Sequence, residues 1–151
     1  MNRRKISWPK DKPLKLTSPK PFVPTEFADQ VAIFEIAAFK AVKDPRWNLL
    51  FATLNGVRLP IGLAVKMKKA GNKHGVPDLF LPVPRFCVLD GTPHKECVEA
   101  HGLWIELKRE KGGVLSSSQK WWHQQLTEMG YRVVVAKGAQ VAIKIIEEYL
   151  K

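Results

Sequence analysis

Apolar residues recur along this chain with two periods. In "HGLWIELKR" (101–109), Leu103, Ile105 and Leu107 alternate with Trp104, Glu106 and Lys108, the spacing of a β-strand. "PDLFLPV" (77–83) and the β-branched "YRVVVA" (131–136) predict two more strands, and "RWNLLFATLN" (46–55) predicts a further one ending at the turn signal Asn55-Gly56. Helical spacing links Phe27, Val31, Phe34 and Ala38 in a helix N-capped by Thr25 and stopped beyond Lys43 by Asp44-Pro45. A short basic helix is expected over about 63–70. Ser116 and Gln119 form a capping-box pattern for a helix to about Met129, with Gly130 as its C-terminal cap. Ala142, Ile145, Ile146 and Tyr149 make the apolar stripe of a last helix over 139–150. Pro82 and Pro84 open a stretch expected to be irregular as far as His101.

The predicted order is αβ(α)ββαβα, an α/β fold with a mixed β-sheet flanked by helices. A strand, helix, strand unit crosses over right-handedly, so the last two strands should run parallel. The segment 1–24 is rich in Pro and Lys without a sustained period and reads as a basic, flexible N-terminal arm, with a single folded domain over 25–151.

Charge narrows the partners. The net charge is +11 and the pI near 9.8, and more than half of that excess lies in the first twenty residues. Such an excess attracts polyanions, with nucleic acid foremost. "VAIFEIAAF" is interrupted by Glu35 and falls short of the roughly 18 apolar residues of a membrane span. The start "MNRRKISWPKDKPLKL" lacks the apolar core of a signal peptide, so a cytoplasmic location without membrane partners is expected. With no secretion signal, Cys87 and Cys97 are expected to be reduced thiols. No G-x-x-x-x-G-K-[ST] is present, which disfavours an ATP-driven enzyme, and "KGGVL" reads as a mobile loop.

The chemistry sits in the charged face of the 101–109 strand. Glu106 and Lys108 share a face, which is either an edge strand meeting water or a buried ion pair. Asp78 opens what is expected to be the neighbouring strand. Two carboxylates about 4 Å apart repel by on the order of 4 kcal/mol at an effective dielectric of 20 and demand a cation. Lys108 can supply it alone; alternatively Mg²⁺, with Mn²⁺ as a substitute, is held by Asp78, Glu106 and the backbone carbonyl of Leu107, with waters completing its shell. A water acidified by the metal and oriented by Lys108 can then attack a phosphodiester.

The blocks "GVPDLFLP", "LWIELKR", "LSSSQKWW" and "GYRVVVA", in this order and spacing, resemble the VRR-NUC branch of the PD-(D/E)XK nuclease superfamily, in particular its stand-alone phage and bacterial members. The resemblance spans about 26–150. It implies a restriction-endonuclease-like αβββαβ core with Asp78, Glu106 and Lys108 as catalytic acid, acid and lysine. Glu26 matches a first-helix glutamate that approaches the metal in relatives, although an acid in a helix's first turn is also simply favourable. Gln119 matches the family's glutamine after the E-x-K strand, and capping explains it equally. Asn55, Gly56 and Arg58 resemble the family's Asn-Gly turn with a following basic residue. The resemblance further implies a homodimeric endonuclease that cuts branched DNA such as Holliday junctions.

Two other classes of function stay open: a nuclease on single-stranded or simple duplex DNA, and a non-catalytic basic nucleic-acid-binding module. Arg58, Lys66, Lys68, Lys69, Lys73, Arg109 and Lys111 are candidate phosphate contacts. Cys87, His94, Cys97 and His101 are soft ligands of the kind that bind Zn²⁺, yet they lack tight C-x-x-C pairing. Of the tryptophans, Trp104 and Trp122 suit core packing and Trp121 suits stacking on a base.

Overall fold

The structure is a computed structural model and describes residues 25–54 and 59–151; the arm at 1–24, the Asn55-Gly56 turn and Arg58 lie outside the described residues. The first element is α1 (Glu26–Ala41), whose Thr25 cap accepts a hydrogen bond from the Ala28 amide at 3.1 Å. Its buried face differs from the one expected. Asp29, Ile33 and Ala37 point inward, whereas Phe27 is 71% exposed and Val31 and Ala38 also face out.

The stretch expected to be a strand over 46–55 is a 3₁₀ turn, Pro45–Leu49, followed by β1 (Phe51–Ala52). Asp44 explains the difference, because its carboxylate accepts from the Arg46 amide and caps a helical turn with Pro45 at its start. Next come α2 (Ile61–Lys69) and β2 (Leu79–Leu81). The region read as irregular is a hairpin, β3 (Arg85–Leu89) and β4 (Thr92–Ala100), in a separate two-stranded sheet. Asp90 and Gly91 both take positive φ at its tip, as a tight two-residue hairpin turn requires. The expectation of reduced thiols is overturned here: Cys87 and Cys97 form a disulfide across the hairpin. Antiparallel pairing of β3 with β4 brings the two sulfurs together, a proximity that a ten-residue separation in sequence does not reveal.

The chain closes with β5 (Leu103–Lys108), α3 (Ser117–Glu128), β6 (Arg132–Lys137) and α4 (Ala139–Tyr149). The main sheet runs β1-β2-β5-β6, antiparallel up to β5 and parallel between β5 and β6, as the crossover rule requires. Strand β5 is therefore central and not an edge. Leu79, Leu81, Leu103, Ile105 and Leu107 line one face of the sheet and are almost wholly buried with Ile33 of α1 and Ala142, Ile146 and Tyr149 of α4. Asp29 ties these two helices to each other, its carboxylate accepting from the Ala139 amide at 3.2 Å where Gly138 leaves the start of α4 without a side-chain cap. Among the described residues no helix is long and apolar enough to cross a membrane.

Candidate active site

Period-2 alternation puts the chemistry on the sheet face opposite the core. Leu79 pairs with Ile105 and Phe80 with Trp104, so continuing the antiparallel register sets Asp78 beside Glu106. Both carboxylates and Lys108 therefore share a face. Glu106 is 1% exposed and Lys108 8%.

Each acid is oriented by a specific donor. The Leu107 amide donates to Asp78 Oδ2 at 2.8 Å, which turns that carboxylate toward the β5 backbone. Since a strand residue's N–H and C=O point to the same side, the Leu107 carbonyl faces the same edge. Lys108 Nζ donates to Glu106 Oε1 at 2.5 Å, and Gln119 Nε2 donates to that same oxygen. The other end of the Gln119 side-chain amide, Oε1, accepts from the Ser116 backbone N–H at 2.9 Å, while Ser116 Oγ accepts from the Gln119 backbone N–H. Capping and site contact are thus simultaneous: one side chain closes the capping box and reaches Glu106.

Glu106 Oε2 is buried and has no hydrogen-bond partner among the described residues. A buried carboxylate oxygen in that state is unfavourable unless protonated or met by a cation. Burial is the largest influence on Glu106 and pushes its pKa up to about 7; Lys108 pulls it down and the neighbouring Asp78 charge pushes it up again. Asp78 is likewise raised, mainly by burial, against the lowering effects of the Leu107 amide and Lys108. Glu26 is exposed, but its charge raises both acids, and it lines one cavity of about 150 Å³ with His74, Asp78, Glu106, Lys108 and Gln119. All five residues expected to be catalytic meet there.

Two glycines permit this packing. A Cβ on Gly75, whose φ is +87°, would lie 2.8–2.9 Å from Ser118 atoms, so glycine lets the approach to Asp78 press against the first turn of α3. A Cβ on Gly113 would lie 2.6 Å from Lys108 Cβ, so the loop after β5 closes directly on the lysine stem.

His123 is a residue that the sequence pattern does not single out. It follows Gln119 by four residues on α3, its Nε2 is buried with no partner among the described residues, and its pKa is lowered by burial and by the Lys108 charge. The available signal is the i, i+4 spacing. Other expected contacts lie outside the cavity: Lys66, Lys68 and Lys69 are exposed on α2, Arg109 and Lys111 are exposed just after β5, and Lys73 is exposed beside His74. The soft-ligand reading loses two of its four members to the disulfide, and among the described residues no three His, Cys, Asp or Glu side chains come together as a metal-ligand set.

A mixed sheet whose interior strand β5 carries E-x-K, with an acid set beside it just before the neighbouring strand β2, has the arrangement of a PD-(D/E)XK-type core. The "VRR-NUC domain" family matches residues 56–140, more than half of the chain, and the chain belongs to that family of nucleases. It is similar to a solved structure described as a VRR_NUC domain protein, at 27% identity and a TM-score of 0.65, over 84% of this chain and 88% of the other. No curated protein matches the chain.

Proposed function

We propose that this chain is a metal-dependent, structure-selective DNA endonuclease, working as a homodimer on branched DNA such as Holliday junctions, with Asp78, Glu106, Lys108, Glu26 and Gln119 as its catalytic group. The observation that carries the catalytic reading is the unpartnered, buried Oε2 of Glu106 beside Asp78. A pure ion pair with Lys108 leaves that oxygen without a donor among the described residues. The donor set of Asp78, Glu106 and the Leu107 carbonyl is all oxygen and suits Mg²⁺ or Mn²⁺, ions that retain several waters and need few protein ligands. When bound there, the ion supplies charge stabilisation on the phosphate and a more acidic water.

The geometry supports a role for each of these side chains. The Leu107 amide fixes Asp78, while Lys108 and Gln119 occupy Oε1 of Glu106, so that Oε2 would be the oxygen to hold a cation. Lys108 Nζ, held against Glu106 in the cavity wall, orients the water whose oxygen attacks phosphorus as the bond to the leaving oxygen breaks. Glu26 adds negative charge at the rim. The basic residues Arg58, Lys66, Lys69, Lys73, Arg109 and Lys111 hold the DNA backbone.

The choice of branched DNA and of a dimer rests on the resemblance to stand-alone family members, whose paired sites suit a two-fold junction. A panel of labelled four-way junction, flap, duplex and single-stranded DNA, incubated with protein and Mg²⁺, tests it. Junctions should be cut at least tenfold faster than duplex. Equal rates on all four would overturn the selectivity while leaving the nuclease chemistry standing.

A further inference from the structure

A second cavity adjoins the catalytic one. It is open to solvent, has a volume of about 540 Å³ and is lined by Lys73, His74, Ser118, Trp121 and Trp122. His74 lines both cavities, and Ser118 precedes Gln119, so an occupant of one neighbours an occupant of the other. We propose that this cavity is a subsite for one unpaired nucleobase of the DNA substrate, next to the phosphate that is cut.

Its shape and chemistry fit a nucleotide. Trp122 is fixed by its indole N–H, which donates to the His74 carbonyl at 3.1 Å. Trp121 stands edge-on to it, with ring centroids 5.1 Å apart and planes at 80°, yet remains 55% exposed. An indole so placed presents a large apolar surface to water at a pre-set angle, and a base stacking on it gains contact with little loss of side-chain freedom. The Lys73 ammonium supplies a cation for the adjoining phosphate, and among the described residues no carboxylate lines the cavity to repel it. At about 150 Å³ the catalytic cavity is far the smaller of the two, which suits a phosphate group with its water there and the base in the adjoining space. Bases inside a duplex have their faces covered by their neighbours, so the occupant has to be unpaired or unstacked.

This inference rests on the nuclease reading for the neighbouring phosphate, and the test separates the two. Binding is measured in chelator, which suppresses cleavage, using oligonucleotides carrying 2-aminopurine in a single-stranded branch arm or in a fully paired duplex. Wild type should quench the fluorophore in the unpaired arm only. Trp121→Ala should abolish the quench and weaken binding of the unpaired arm by roughly tenfold, with the duplex affinity unchanged and with Trp121→Phe retaining most of the binding. Circular dichroism of each variant confirms the fold. Unchanged affinity in Trp121→Ala, or equal losses on paired and unpaired DNA, would overturn the subsite. A Trp121-dependent quench in a protein that cuts no DNA with Mg²⁺ would instead overturn the nuclease reading and leave base binding supported.

Discussion

Gln119 shows how one side chain can serve stability and chemistry together, because its amide carbonyl closes the capping box as its amide nitrogen holds Glu106. Gln119→Ala should therefore lower thermal stability by about 1 kcal/mol, as loss of a cap does, and reduce cleavage by roughly 10- to 100-fold, as loss of a ligand-orienting partner does. Calorimetry and initial rates read the two separately; a stability loss with an unchanged rate would make the residue a cap alone. The Glu106 carboxyl gives a second prediction. Its native pKa of about 7 lies above the ordinary 4.5, so between those values the folded protein keeps a proton that the unfolded chain has released. The stability tied to this group is present in full below pH 4.5 and is lost as pH rises through about 7. Glu106→Gln removes that loss, so its melting temperature relative to wild type should climb between about pH 5 and 8. A constant difference across that range would contradict the assignment. Cleavage by wild type should rise over the same interval, as Glu106 must ionise to hold a cation, and added Mg²⁺ should shift the rise to lower pH.

At the scale of elements, the site depends on the segment before β2 packing against the start of α3. Gly75→Ala puts a Cβ where Ser118 already stands and forces a left-handed φ on alanine. The expected outcome is a loss of about 1–3 kcal/mol together with cleavage reduced well beyond the change in folded fraction, measured by urea denaturation beside activity. Some elements are legible in the sequence: β5 from alternation, β6 from its β-branched run, and α4 from the Ala142, Ile146 and Tyr149 stripe. Parallel pairing of β5 with β6 follows from connectivity alone. The face of α1 is not legible, since Phe27, Val31 and Ala38 form as good a stripe as Ile33 and Ala37, and only packing against α4 through Asp29 chooses between them. The 85–100 hairpin is hidden by Pro82, Pro84 and Pro93, although Asp90-Gly91 carries the turn signal. Asp78, Glu106, Lys108 and Gln119 are legible because a strand's period of two and a capping box fix where such residues point; His123 and the second cavity depend on how α3 lies over the sheet, which no local pattern encodes.

At the scale of the molecule, charge is unevenly used. The central strand buries a carboxylate and an ammonium on one face while α2 exposes Lys66, Lys68 and Lys69 with no buried residue of its own. A helix so placed suits contact with a polyanion and contributes little to the core. Replacing Lys66, Lys68, Lys69 and Lys73 by glutamine should weaken DNA binding, flatten the slope of log K against log salt by up to roughly one unit for each phosphate-neutralising lysine removed, and leave the rate at saturating DNA within about two- to threefold; an unchanged slope would reject these lysines as phosphate partners. In the proposed reaction Asp78 and Glu106 gather a divalent cation against a scissile phosphate. The most direct measurement is cleavage of labelled junction DNA by wild type and Asp78→Ala, each with Mg²⁺ and with excess chelator. Wild type with Mg²⁺ alone should cut, with both chelator and the substitution reducing the rate by at least a hundredfold, whereas cleavage that persists in chelator or in Asp78→Ala would contradict the account.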